Sequence, residues 1–212
     1  MTPEAAEALK RSAEAPERAG RSDLGAVAQD LSAAFATDPV MNWFLRADAQ
    51  RDAGRLRLFH LLMASAFADG EIVRPAAGGA AAVWLPSESL GPTPFLQEMR
   101  ALPTLLAATG FLRIGRMAAT RRAMEAHHPK DRPHAYLWFI GVRPEAQGLG
   151  VGSRLLAASL RRLDAEGRPA YLESSNIANV PLYRRHGFEV TAEIEPRPGS
   201  PKLYAMWREP QA

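Results

Sequence analysis

Residues 138–153 read Trp138-Phe-Ile-Gly-Val-Arg-Pro-Glu-Ala-Gln147-Gly-Leu-Gly-Val-Gly152-Ser153. An apolar, aromatic run enters a turn at Pro144, crosses a glycine-rich loop and continues as a helix. The glycines at 148, 150 and 152 carry no Cβ, so a ligand can approach the backbone closely. The helix N-terminus behind them presents unpaired N–H groups and a partial positive charge. Together these suit an anion, most often a phosphate.

Which phosphate is narrowed by what is missing. A P-loop ends in Gly-Lys-Ser/Thr, and the lysine is absent here. A dinucleotide loop is spaced Gly-x-Gly-x-x-Gly and needs two βαβαβ halves. Here the spacing is Gly-x-Gly-x-Gly, and only about 60 residues follow Gly152. The pyrophosphate of coenzyme A remains, beside the plainer reading of a loop that is merely rich in glycine.

Working outward, residues 134–142 are long enough for a central strand. Residues 148–166 form an amphipathic helix with Val151, Leu155, Leu156, Ser159, Leu160 and Leu163 on one side. Residues 71–74 and 80–85 read as strands joined by the Gly78-Gly79 turn, and 170–173, 188–194 and 203–207 as further strands. Leu24, Val27, Leu31 and Phe35 recur at helical spacing behind Asp23, and Asp38-Pro39 stops that helix. Residues 55–68, 94–128 and 179–186 are also helical. The fold class is α/β of the α+β type, with a mostly antiparallel twisted sheet flanked by helices. Residues 1–21 hold one large apolar side chain, Leu9. They read as a mobile tail, with or without a short helix, that cannot offset its ordering entropy by burial.

The chain has 212 residues, enough for one domain with a sizeable core. Its net charge is only +3, which does not make a nucleic-acid binder. There is no cysteine, which excludes disulfides, thiolate metal sites and a cysteine nucleophile. No apolar run reaches the ~20 residues of a membrane span. The N-terminus carries Glu4 and Glu7 rather than a signal pattern, so a cytoplasmic protein without membrane contact is expected.

A second motif follows the strand at 170–173: Asn179-Val-Pro-Leu-Tyr183-Arg-Arg-His-Gly187-Phe188. Asn179 suits a helix N-cap, Pro181 a first turn and Gly187 the position after a helix end. With both motifs in order, residues 23–208 resemble the GNAT superfamily of acyl-CoA-dependent N-acyltransferases. Gln147-Gly-Leu-Gly-Val-Gly152 matches that superfamily's pyrophosphate loop, and residues 179–188 match its thiol-end helix. Ala81-Ala-Val-Trp84, Pro86-Ser-Glu-Ser89, Met124-Glu125, Tyr171-Leu-Glu-Ser174 and Asn179-Val-Pro-Leu-Tyr183 are most similar to the puromycin N-acetyltransferase group.

The resemblance implies acetyl-CoA as acyl donor, no metal, and direct attack of an amine on the acetyl thioester. It implies one N-acetyltransferase domain at 22–212. Acceptor-side helices fall at about 23–68 and 94–128, and an acyl-CoA-binding core of splayed strands at about 134–190. The backbone N–H groups of Gly148, Leu149, Gly150, Val151, Gly152 and Ser153 would hold the pyrophosphate, with Gln147 shaping the loop entrance. The edge of the strand at Ile140, Gly141 and Val142 would pair the pantetheine amides, and the Val142 N–H would face the oxyanion. Asn179 falls at the thiol end. Tyr183 matches the general acid, and Glu173 is the leading base, with His134 or water as alternatives. The family opens with a strand before its first helix. Residues 17–22 make a poor one, so that strand is either missing or displaced into the tail.

The expected acceptor is a small-molecule primary amine, an amino-bearing antibiotic being one example. Trp43, Trp84, Phe95 and Met99 are candidates for an apolar cleft, with Asp38 to hold the amine. A protein N-terminal or lysine acetyltransferase and a non-enzymatic acyl-CoA sensor are the alternatives. His127, His128 and His134 match no metal template. Residues 100–132 hold seven basic and two acidic residues, and the arginines at 113–122 read first as a solvated helix face. A monomer or homodimer is expected.

Overall fold

The computed structural model describes residues 2–91 and 94–211. In chain order the elements are α1 (Pro3–Glu14), β1 (Glu17–Arg18), α2 (Leu24–Ala34), α3 (Pro39–Phe44), α4 (Arg51–Asp69), β2 (Glu71–Arg74), β3 (Ala80–Pro86), α5 (Phe95–Thr109), α6 (Ile114–His127), β4 (Ala135–Val142), α7 (Val151–Ala165), β5 (Ala170–Ser174), α8 (Val180–Arg185), β6 (Glu189–Ile194) and β7 (Leu203–Arg208). The strands make one sheet in the order β1-β2-β3-β4-β5-β7-β6. Every neighbouring pair is antiparallel except β4 and β5.

Strand β3 shows why the sheet carries helices on both faces. Its side chains alternate, as strand geometry dictates. Ala81, Val83 and Leu85 join a core with Val27, Leu31, Phe59 and Met63 from α2 and α4. Ala80, Ala82 and Trp84 join a second core with Leu155, Leu156 and Leu160 of α7. A strand buried on both sides reads as a near-continuous apolar run, which Ala-Ala-Ala-Val-Trp-Leu is. Phe35, Phe59 and Phe139 pack edge-on or tilted at 5.3–5.6 Å between ring centres, locking α2 and α4 onto β4. Gly141 makes that approach possible: a Cβ there would lie 2.8 Å from the Ala34 Cβ and 2.9 Å from Leu31 Cδ2.

The N-terminal segment is not a loose tail. Helix α1 is capped by Thr2, whose hydroxyl accepts from the Ala5 N–H, and it buries Leu9 and Ala13. Its contact is with α7, where Glu14 Oε1 pairs with Arg154 Nε at 2.9 Å and the Glu14 carbonyl accepts from Arg161. A tally of large apolar residues misses this docking because the contact rests on one leucine and on alanine, whose small side chain lets two helices approach closely. The expected poor strand is present as the two-residue β1. It adds to β2 with Glu17 opposite Arg74, and is fastened by Ala19 N–H to the Ile72 carbonyl at 2.8 Å.

Strands β4 and β5 diverge. Only Ala135↔Ala170 and Tyr136↔Tyr171 are paired, although β4 continues for six more residues and β5 for three. A bulge starts the divergence. The β3–β4 register passes from Trp84↔Leu137 to Val83↔Phe139, leaving Trp138 as the extra residue. Bulges bend a strand and raise its twist, and this one lies just past the last β4–β5 pair.

Candidate active site

The divergence leaves one edge of β4 open, and its register says which groups face it. Arg143 N–H donates to the Gly79 carbonyl at 2.9 Å, flanking the Ala80↔Val142 pair. In an antiparallel ladder that makes Ala80↔Val142 a pair without mutual hydrogen bonds, and Ala82↔Ile140 another. The N–H and C=O of Ile140 and Val142 therefore point away from β3, into the gap. Gly141 alternates with them, and its backbone is committed to Ala81. Of the three sequence candidates on this strand, two offer backbone to a ligand and Gly141 serves helix packing. The Val142 carbonyl already accepts from Gln147 Nε2 at 2.9 Å, so Gln147 ties the loop to the open edge.

The glycine loop runs from that edge into α7. Gly148 and Gly150 have φ of +76° and +75°, the left-handed region that glycine enters without strain. A Cβ on Gly150 would also fall 2.6 Å from Arg154 Nη1. Gly150 is the N-cap of α7 and brings no side-chain cap. The first intrahelical bond is donated by Arg154 to the Gly150 carbonyl. The N–H groups of Val151, Gly152 and Ser153 thus lack intrahelical acceptors and sit at the positive end of the helix. Leu149 packs against the α7-side core and anchors the loop. The Ser153 hydroxyl lies 2.8 Å from His186 Nε2, joining the loop to the end of α8. Burial, then Arg185 and Arg208, lower the His186 pKa and keep it neutral near pH 7.

Helix α8 ends where the sequence predicts. Gly187 has φ +84°, and Phe188 N–H reaches the Tyr183 carbonyl, closing a Schellman turn. Its start differs from expectation. Asn179 makes no side-chain cap; Asn176 caps the preceding turn by accepting from Ala178 N–H at 3.0 Å. Asn179 itself is exposed.

Tyr183 packs in the α7-side core with its ring edge-on to Phe188 at 6.0 Å. Burial, and secondarily the charge of Asp38, push its phenol well above the ordinary range. It is a protonated group at neutral pH. Asp38 itself is nearly buried. Its Oδ1 caps α3 through Met41 N–H at 2.8 Å, and its Oδ2 accepts from Ser175, just past β5. Burial raises the Asp38 pKa. Through these bonds Asp38 ties α3 to the end of β5.

Glu173 is more enclosed than a strand end suggests. The residue is half-buried but its side chain is only 1% exposed, so the exposed part is main chain. The expected alternative, His134, is wholly buried and not an exposed strand end. Between them stands His128, which sequence reasoning passed over. Its Nδ1 is 3.8 Å from Glu173 Oε1 and its Nε2 is 3.0 Å from His134 Nε2. No local spacing signals this meeting, because His128 and His134 flank a turn and Glu173 comes from another strand.

The proposed acceptor cleft does not assemble from its four residues. Trp43 packs with the α2/α4 core and Trp84 with the α7 core, on opposite faces of the sheet, while Phe95 and Met99 are exposed. The arginines of α6 are not merely solvated. Arg113 donates to the carbonyls of Asn42 and Leu45, and Arg116 to that of Trp43, clamping α3. Arg121 pairs with Glu98 and Glu125. No group of His, Asp or Glu that could hold a metal occurs among the described residues, and no described helix is long and apolar enough to cross a membrane.

A sheet with one parallel pair that splays, followed by a glycine loop opening a helix, defines an acyltransferase class. Residues 82–188 match the acetyltransferase (GNAT) family, and the chain belongs to it. Family members use acetyl-CoA as acyl donor. Among curated relatives, the mycothiol acetyltransferase of Paenarthrobacter aurescens is 40% identical over 67 residues, 29% of this chain and 21% of that protein. An uncharacterised N-acetyltransferase of Schizosaccharomyces pombe is 37% identical over 84 residues, 39% of this chain and 34% of that protein. The matched parts thus span about a fifth to a third of those relatives. A Corynebacterium glutamicum structure described as histone acetyltransferase HPA2 and related acetyltransferase superposes with TM-score 0.68 at 25% identity, covering 93% of this chain and 96% of that one. Arylalkylamine N-acetyltransferase 2 of Aedes aegypti shares the fold, with TM-score 0.58 at 13% identity over 92% of this chain and 98% of its own.

Proposed function

We propose that this chain transfers an acetyl group from acetyl-CoA directly to a primary amine of a small molecule, amino-bearing antibiotics being one such class. The observation that carries the reading is the open edge of β4. There the backbone groups of Ile140 and Val142 face the gap left by β5, and the glycine loop continues from that edge. When bound, acetyl-CoA supplies an activated thioester. Gly148 to Ser153 hold its pyrophosphate by backbone N–H groups, with Gln147 fixing the loop. Ile140 and Val142 pair with its amides, Val142 N–H faces the developing oxyanion, and Asn179 lies near the sulfur. Tyr183, kept protonated by burial, gives its proton to the departing sulfur. Glu173 takes the proton of the amine, directly or through water. With no cysteine in the chain, an acetyl-cysteine intermediate has no residue to form on.

The mycothiol acetyltransferases are named for a small acceptor, which supports this class. The Corynebacterium structure, described as a histone acetyltransferase and related acetyltransferase, favours a second reading in which the amine belongs to a protein. A thiol-reactive dye separates the two. The protein contributes no thiol background, so every signal is released coenzyme. A panel of small amines, aminonucleosides, and peptides with free N-termini or lysines is expected to give turnover with small amines. Turnover confined to peptides favours the second reading, and binding of acetyl-CoA without turnover on any amine contradicts both.

A further inference from the structure

The carboxyl of Glu173 lies buried, with the Tyr136 and Tyr171 phenols and the His128 ring close around it. Three elements crowd round it. His128 follows α6; its ring centre is 4.8 Å from Tyr171 on β5, 4.9 Å from Tyr136 on β4, and 4.9 Å from His134. Both tyrosine pKa values are raised, first by burial, then by the charge of Glu173 and hydrogen bonding to it, so both phenols stay protonated at neutral pH.

The tautomers follow from the partners. His134 Nδ1 is 2.8 Å from the Arg132 carbonyl, an obligate acceptor, so Nδ1 carries the hydrogen. Burial lowers the His134 pKa, with His128 and Arg168 adding to the effect and Glu88 opposing it. His134 is therefore neutral near pH 7 and its Nε2 is bare. That bare nitrogen accepts from His128 Nε2–H at 3.0 Å. The second nitrogen of His128, Nδ1, is thereby aimed at Glu173 Oε1, 3.8 Å away. Trp207 covers the far side of His134, at 5.2 Å between ring centres. His128 alone of the three reaches solvent: its side chain is 13% exposed, against 1% for Glu173, while His134 is wholly buried.

We infer that Glu173, His128 and His134 form one proton-handling unit. In it His128 passes the amine's proton from the buried carboxyl to solvent, and His134 is a positioning residue that sets the His128 tautomer. This rests on the amine-acetylating reading above. The ammonium proton moves to a Glu173 oxygen and the nitrogen keeps its electron pair. The proton then moves to His128 Nδ1, restoring the carboxylate beside an imidazolium. His128 finally releases it from Nδ1 to water, its side chain being 13% exposed. The proton goes no further inward, because burial disfavours a charged His134.

The test is the pH profile of kcat/KM for thiol release by wild type, His128→Gln and His128→Ala. Glutamine keeps an N–H for His134 Nε2 but cannot relay a proton; alanine leaves room for added imidazole. His128→Gln is expected to lose at least about tenfold in kcat and the acid limb of the profile, with acetyl-CoA affinity unchanged. Imidazole is expected to restore His128→Ala in proportion to its neutral fraction. Unchanged acetyl-CoA binding shows that both variants are folded. A wild-type profile in His128→Gln, or no imidazole rescue, overturns the relay while leaving the acetyltransferase reading intact. A wild type inactive on every amine overturns both.

Discussion

Tyr183 shows how one hydroxyl is kept ready. Its phenol is buried near Asp38, and both effects disfavour the charged form. Tyr183→Phe removes only that oxygen, from a ring that packs against Phe188. Turnover is expected to fall about 100-fold or more, with acetyl-CoA affinity within about twofold of wild type, as read by steady-state kinetics and calorimetry. Gly150 makes the opposite prediction. Alanine there meets both a left-handed φ and the Arg154 guanidinium. Gly150→Ala is expected to weaken acetyl-CoA binding by about tenfold with kcat nearly unchanged at saturation. Sequence reading reached Gly150 through the local glycine spacing and Tyr183 only through the family resemblance of residues 179–188. It could not separate Gly141 from Ile140 and Val142, since that depends on which edge of β4 meets β3. Nor could it see that Glu173 is enclosed by residues 37 and 45 positions away in sequence.

At the scale of elements, the long periodic ones were legible. Helix α7 and strands β3 and β4 carry their pattern in their own residues. Helix α1 and the two-residue β1 were not, because a partner supplies most of the surface they bury. Leu9→Ala tests that docking. It is expected to destabilise the fold by about 2 kcal/mol, measured by urea unfolding, whereas a mobile tail would show no change. A second tie joins β7, α7 and α8. The buried Arg208 binds Asp164 through two bonds of 2.6 and 2.8 Å and donates to the His186 carbonyl. Its hydrogen bonds are the main reason the Asp164 pKa lies below the ordinary carboxylate range. A depressed folded pKa contributes stability that is complete above the unfolded value. It is lost as pH falls through the folded one. The urea midpoint is therefore expected to drop below about pH 4, and less steeply in Asp164→Asn than in wild type.

Across the whole molecule, the sheet divides labour between its faces. The α7 side holds the glycine loop and Tyr183; the other holds Glu173 and the helices α2 to α6. The gap between β4 and β5 is where the two meet, and a bulge at Trp138 opens it. The central claim is that this gap receives the acyl donor along the open edge of β4. Residue-resolved amide exchange with and without acetyl-CoA tests it most directly. Protection is predicted at Ile140, Val142, Val151, Gly152 and Ser153. Gly141, already bonded to Ala81, is predicted to change little. Protection that skips this alternation, or that falls outside the β4 edge and the glycine loop, would contradict the account.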